Sequence, residues 1–297
     1  MSRFYQALRE ASRAGTAGAG DVPKPERPVG NSLGNSPAAP RADQAPPKTQ
    51  SLSLEEELAA ATAAPQRGLF RISSKAKLDQ HARVIPNAVD QAVVEHYRRL
   101  RTKVMQQQAA KPFHSVMVTS AGPQEGKTVT VLNLGLSFAM LPDFKVLVVD
   151  GDIRRGSLGK WLGADDNRGL SNLVDGSAGL DEVVLKNDDL AVHFMSRGNS
   201  PVSAAELLHS PHLGHCIQKM SEYFSLVLID SPPVNLVADA QLLAASCDAV
   251  LLVVRAFVTT RKSLERTVQD LQSFRVLGTL LNCGTRAQLD GRYRGYY

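Results

Sequence analysis

The 297-residue sequence predicts a doubly wound α/β fold, a mostly parallel sheet with helices on both faces. Three observations point to it. Six short apolar runs follow one another: Ser115–Ser120, Lys145–Asp150, Leu190–Met195, Ser225–Asp230, Ala249–Arg255 and Val276–Asn282. Most are hydrophobic almost without interruption, as strands are when both faces are covered. Helical segments separate most of them, and a further helical stretch, Ala88 to Gln108, precedes the first.

Around this region the composition changes. Residues 14–50 are dominated by Gly, Ala, Pro and Ser, and such a segment buries too little surface to offset its ordering entropy. Before it, Phe4, Leu8 and Ala11, with Tyr5 adjacent, would share one face of a short amphipathic helix, though a frayed start with no role fits them equally. Ser53 and Glu56 have capping-box spacing and would open a helix near 54–63, although chance in an acidic stretch gives the same spacing. The expected organisation is therefore a largely disordered region over 1–80, a folded domain over 81–285 and a flexible tail over 286–297.

Charge excludes one class of partner. The chain carries +5, of which +3 lies in residues 1–80 and +2 in 286–297, leaving the folded domain near neutral. A nucleic-acid groove on that domain is not expected. No stretch reaches the roughly 20 apolar residues of a membrane span. The N-terminus has no signal-peptide core, so a cytoplasmic location is expected. Cys216, Cys247 and Cys283 are widely spaced and lack CxxC spacing, which argues against a disulfide framework or a zinc site.

The chemistry is concentrated at strand ends. Val116 to Thr128 reads strand, loop, helix, and its loop Ala121-Gly122-Pro123-Gln124-Glu125-Gly126-Lys127-Thr128-Val129 fits the phosphate-binding P-loop pattern apart from Ala121, which stands in place of the first Gly. Backbone N–H groups at the helix start would cradle the phosphates of ATP. The Lys127 ammonium would lie between the β- and γ-oxygens, and the Thr128 hydroxyl would bind Mg²⁺. Two further strands end in carboxylates: Asp150 with Asp152, and Asp230. Ligands of parallel sheets bind beyond the carboxyl ends of strands. Such an Asp can also cap a turn. Three of them at the mouth of a P-loop sheet are better explained by Mg²⁺ binding and acid–base work.

Together these residues resemble the bacterial tyrosine kinases of exopolysaccharide synthesis. Val149-Asp150-Gly-Asp152-Ile-Arg-Arg155 is similar to their second Walker-type motif. Ile229-Asp-Ser-Pro-Pro-Val234 with Asp239 is similar to their Walker B segment, and Ala205-Glu-Leu-Leu208 also has a counterpart. Glu95-x-x-Arg98-x-x-Arg101 matches a family helix, and Tyr293, Tyr296 and Tyr297 form the family's terminal tyrosine cluster. Gly156 departs from the usual Pro, and Ser231 from the usual Thr.

The resemblance, which spans roughly 85–297, implies a P-loop autokinase that uses Mg-ATP to phosphorylate its own terminal tyrosines in trans. It implies metal roles for Thr128, Asp152 and Asp230, and proton acceptance by Asp150 or Asp152. It further implies a homo-oligomeric ring contacted through Glu95, Arg98 and Arg101. Expected partners are a separate membrane activator of the polysaccharide co-polymerase type, which would recruit the chain to the inner face of the plasma membrane, and a tyrosine phosphatase.

From Asn282 to Tyr297 the tail extends up to about 50 Å, enough to reach a neighbouring subunit. The helical spacing of Glu95, Arg98 and Arg101 equally permits ion pairs within one helix. Two other readings share the fold. One is an ATP-hydrolysing assembly switch of the partitioning and division-site type, whose members usually carry an extra P-loop Lys; residues 119–126 contain none. The other is a scaffold that binds ATP without turnover.

Overall fold

The computed structural model describes residues 71–72, 91–164, 167–187, 190 and 192–284. The expected helices near residues 4–11 and 54–63, the linker over 14–50 and Tyr293, Tyr296 and Tyr297 lie outside the described residues.

The described strands are β1 (Arg71–Ile72), β2 (Ser115–Ser120), β3 (Val146–Asp150), β4 (Leu185–Asn187), β5 (Val192–Met195), β6 (Leu226–Asp230), β7 (Ala249–Arg255) and β8 (Val276–Asn282). They form one sheet in the order β1-β4-β5-β3-β6-β2-β7-β8. Neighbours run parallel except β4 and β5, which are antiparallel. The six strands read from the sequence are all present. The additional pair, β1 and β4, spans two and three residues, too short to leave a periodic signal.

Nine helices are described: α1 (Gln91–Ala110), α2 (Lys127–Ala139), α3 (Leu158–Trp161), α4 (Leu170–Val174), α5 (Leu180–Val183), α6 (Ala204–His209), α7 (Pro211–Tyr223), α8 (Asp239–Ala245) and α9 (Arg261–Asp270). None is long and apolar enough to cross a membrane.

Strand side chains alternate between two cores, as the two-residue period requires. Val116, Val118, Val146, Val148, Leu226 and Leu228 face one core with Val131, Leu132, Leu134 and Phe138 of α2. Met117, Leu147, Val149, Val227 and Ile229 face the other, with Leu213, Ile217 and Met220 of α7 and Leu243 of α8. The first core also explains why α2 has no exposed polar stripe. It is covered by α1, whose Tyr97 and Leu100 pack onto the same core, so Thr130, Asn133 and Ser137 are buried as well.

Other joints fix the far end of the sheet and the peripheral helices. Asp248 Oδ2 accepts the backbone N–H groups of His114 and Ser115 at 2.8 and 2.9 Å and the Ser115 hydroxyl at 2.9 Å. This pins the starts of β2 and β7. Helix α6 begins with a capping box: Ser203 Oγ accepts the Glu206 N–H, while Glu206 Oε2 accepts the Ser203 N–H, both at 3.3 Å. Glu206 of the Ala205–Leu208 motif is therefore a cap, and Leu207 and Leu208 anchor the helix in the core.

Candidate active site

The chain leaves β2, crosses through α2, and enters β3, two positions away; β6 fills the gap. This topological switch opens a crevice at the carboxyl ends of β2, β6 and β3. Asp150 of β3 is in register with Asp230 of β6, and Asp230 with Val118 of β2. Two carboxylates therefore stand side by side next to the P-loop.

The P-loop turns through left-handed backbone at Gln124 (φ 57°) and Gly126 (φ 94°) before α2 begins. Lys127 curls back so that its Nζ donates to Ser120 Oγ at 3.1 Å. Burial lowers its pKa, opposed by the nearby negative charges of Asp230, Glu125 and Asp152. Thr128 Oγ1 donates to Asp230 Oδ2 at 2.5 Å. The other oxygen, Asp230 Oδ1, is buried with no hydrogen-bond partner. Burial, only partly offset by the Thr128 hydroxyl and the Lys127 charge, pushes the Asp230 pKa up to about 6.

Asp150 is fully buried. Its Oδ2 accepts the Leu158 N–H at 2.9 Å and its Oδ1 the Asp152 N–H at 3.3 Å. Burial, reinforced by the Asp230 charge, pushes its pKa up to about 8. Asp152 is only half-buried; its Oδ1 accepts the Arg155 N–H at 2.9 Å. Its charge acts on Lys127, Asp150 and Asp230 alike.

The structure thus brings together Lys127, Thr128, Asp150, Asp152 and Asp230, the residues singled out in the sequence. Among the described residues no three His, Cys, Asp or Glu side chains converge as a metal cage. Mg²⁺ does not need one, since it is usually held by one or two carboxylates together with phosphates and waters. The partnerless Asp230 oxygen beside the Thr128 hydroxyl fits such a hard cation.

Glu95, Arg98 and Arg101 do not act as one outward-facing set. Glu95 pairs within α1, with Arg99 at 3.3 Å and Arg98 at 3.9 Å. Arg101 turns inward and donates to the Ser137 carbonyl of α2. The phosphoacceptor candidates Tyr293, Tyr296 and Tyr297 lie outside the described residues.

Sequence reasoning passed over the residues that brace the P-loop. Asn282 Nδ2 donates to the Glu125 carbonyl at 2.9 Å, and Arg255 Nη1 to the Gln124 carbonyl at 2.8 Å. Thr259 Oγ1 donates to the buried Glu125 Oε1 at 2.8 Å. Asn282 and Arg255 are the last residues of β8 and β7. The strand-end rule that singled out Asp150 and Asp230 would have found both.

Strand, loop and buried helix around Gly126-Lys127-Thr128, with Asp230 on the neighbouring strand, define a P-loop nucleotide-binding protein. The chain is 31% identical over 195 residues to the tyrosine-protein kinase ptk of Acinetobacter johnsonii, covering 65% of this chain and 26% of that one. It is 29% identical over 205 residues to the tyrosine-protein kinase YwqD of Bacillus subtilis, covering 68% and 85%. The kinase domain of the Escherichia coli tyrosine kinase ETK superposes with a TM-score of 0.64 at 29% identity, over 68% of this chain and 79% of that domain. Over this domain the chain is similar to bacterial tyrosine kinases. It spans less than a third of its longer curated relatives, at 26% and 31% of their length. No protein-family profile matches it.

Proposed function

We propose that this chain is an ATP-dependent protein-tyrosine kinase that phosphorylates Tyr293, Tyr296 and Tyr297 of a neighbouring copy. The observation that carries the reading is the convergence of Lys127, the Thr128–Asp230 pair and the half-buried Asp152 at one crevice. The reading is supported by similarity over about two thirds of the chain to relatives named tyrosine-protein kinases.

The residues divide the work by position. Backbone N–H groups of Gly122 and of Gln124 to Thr128 bind the phosphates, and Lys127 moves from Ser120 onto the β- and γ-oxygens. Thr128 and Asp230, with Asp152, would hold Mg²⁺, which when bound neutralises charge on those oxygens. The tyrosine phenol attacks the γ-phosphorus in line, the bond to the bridging oxygen of ADP breaks, and the phenol proton passes to a carboxylate. Asp152 suits that role because it is half-exposed at the mouth. Asp150, buried and committed to two backbone N–H groups, orders the loop that carries Asp152.

Assembly belongs to the same reading. The chain forms a homo-oligomer whose contact uses Glu95 and Arg98, both substantially exposed, while Arg101 braces α1 against α2. A separate membrane activator recruits it to the inner face of the plasma membrane in exopolysaccharide synthesis, and a tyrosine phosphatase resets it. Each phosphate adds about −1.5 to −2 charges to the tail and loosens the oligomer. The domain boundaries at 80 and 285 go with this picture.

The test is incubation with labelled Mg-ATP, with and without an activator fragment. Label should appear on tyrosine, vanish in Lys127→Met and fall sharply when Tyr293, Tyr296 and Tyr297 are all Phe. Phosphate release without labelled tyrosine would instead identify an ATP-hydrolysing assembly switch.

A further inference from the structure

Arg154 lies two residues beyond Asp152 and joins three strand-end loops. Its Nε donates to Asp239 Oδ2 at 2.5 Å and its Nη2 to Asp239 Oδ1 at 3.2 Å, a two-point guanidinium–carboxylate pair. Asp239 is the first residue of α8, which follows the loop leaving Asp230. Its side chain is only 8% exposed, so without the guanidinium a buried carboxylate would lose its cation. From a third side, Arg197 Nη1, on the loop after β5, donates to the Arg154 carbonyl at 3.2 Å. The loops carrying Asp152 and Asp230 are thus tied together by a side chain as well as by the backbone bond from Gly151 N–H to the Asp230 carbonyl at 2.8 Å.

The location of the joint argues for a part in turnover. Asp152 sits on a turn, where the Asp152 carbonyl accepts from Gly156 N–H at 2.6 Å. The bonds from Gly151 N–H to the Asp230 carbonyl and from Asp152 N–H to Asp150 Oδ1 hold the start of that turn. The Arg154–Asp239 pair holds its far side, against α8, which is packed in the core through Ala240, Leu243 and Ala244.

We propose that Arg154 is a positioning residue, whose two-point contact with Asp239 holds Asp152 over the phosphate site. The inference rests on the tyrosine-kinase reading for its role in the reaction, but not for the contact itself. Loss of the clamp slows phosphoryl transfer and leaves nucleotide binding to the P-loop intact. Misplacing a reacting group by about 1 Å costs on the order of 100-fold in rate.

The test compares full-length Arg154→Ala, Arg154→Lys and Asp239→Asn with the unaltered chain. Tyrosine labelling is followed against Mg-ATP concentration, and nucleotide affinity is measured with a fluorescent ATP analogue. The expected result for Arg154→Ala is a saturating rate about 10- to 100-fold lower, with KM and analogue affinity within about twofold. Arg154→Lys should recover part of the rate, because an ammonium can replace one of the two contacts. An unchanged rate, or a KM that rises in step with the loss, overturns the proposal.

Hydrogen–deuterium exchange gives a readout that needs no activity. Asp239→Asn should speed exchange over residues 151–158 about tenfold and leave residues 120–128 unchanged. Equal protection in both proteins overturns the clamp whatever the chain's activity. If the unaltered chain releases phosphate without labelling tyrosine, the kinase reading fails and the clamp is judged on phosphate release and exchange.

Discussion

Replacing Gly126 with alanine tests how firmly the P-loop is braced before any nucleotide arrives. Gly126 has φ +94°, and a Cβ there would lie 2.0 Å from Asn282 Nδ2. Left-handed backbone costs an L-residue roughly 1–2 kcal/mol. The side chain of Asn282 must also swing away and give up its 2.9 Å bond to the Glu125 carbonyl and the 2.9 Å bond from Cys283 N–H to its Oδ1, worth about 0.5–1.5 kcal/mol each. Together the loss is about 2–5 kcal/mol. At about 2–4 °C per kcal/mol, the melting midpoint of the ligand-free chain should drop by roughly 4–20 °C. Asn282→Ala alone loses both of these bonds, at about 0.5–1.5 kcal/mol each. In the double variant those bonds are already gone and the clash is relieved, so it should be no less stable than Gly126→Ala. Circular dichroism melting of all four proteins closes the cycle. If the two single losses add within about 0.5 kcal/mol, Asn282 does not brace the turn and the reasoning is refuted.

Ligand-free stability should decline as pH rises, because burial lifts Asp150 to about 8 and Asp230 to about 6, above their ordinary 3.8. Between 3.8 and those values the folded chain binds more protons than the unfolded one, so this penalty is absent at low pH and complete above pH 8. Asp230→Asn should flatten the part of the decline below about pH 6, as read from melting midpoints between pH 5 and 8. Asp248 has the opposite sign: burial opposes its ionisation, but the N–H groups of His114 and Ser115 and the Ser115 hydroxyl outweigh it and hold the pKa low. Its contribution is present above the ordinary carboxylate range and lost in acid, and Asp248→Ala should cost about 2–3 kcal/mol at neutral pH, measured by urea unfolding. Arg98→Ala should reduce oligomer mass in sedimentation, with the melting midpoint nearly unchanged for so exposed a pair. An unchanged mass would remove Arg98 from the subunit contact.

Much of the fold could be read from the sequence because buried parallel strands have few alternatives. Val146-Leu-Val-Val-Asp150 and Leu226-Val-Leu-Ile-Asp230 are apolar on both faces and end in a charge that only the strand terminus can accommodate. β4 escaped notice for the opposite reason: its few residues pair antiparallel with β5, and tertiary context supplies what periodicity does not. The site was legible wherever chemistry forces residue type, as at Lys127, Thr128 and Asp230. It was illegible where a side chain bonds a backbone carbonyl far away in sequence. Nothing local to Asn282 announces Glu125, and nothing in the spacing of Glu95, Arg98 and Arg101 says that Arg101 turns toward Ser137.

The two carboxylates that the motif leaves equivalent are separated by a few ångströms of loop geometry. Asp150 ends β3 opposite Asp230, so its side chain enters the sheet crevice and must find donors there. It finds the N–H groups of Asp152 and Leu158 only because the chain returns beneath it at residue 156. A Cβ at position 156 would lie 2.4 Å from both Asp150 oxygens. With glycine there, the carboxyl group can fold inward, where burial lifts its pKa to about 8. In the proposed reaction the phenol proton goes instead to the half-buried carboxylate two residues on. The Asp that ends the strand thus builds the loop, and in the proposed reaction its neighbour two residues on meets the acceptor.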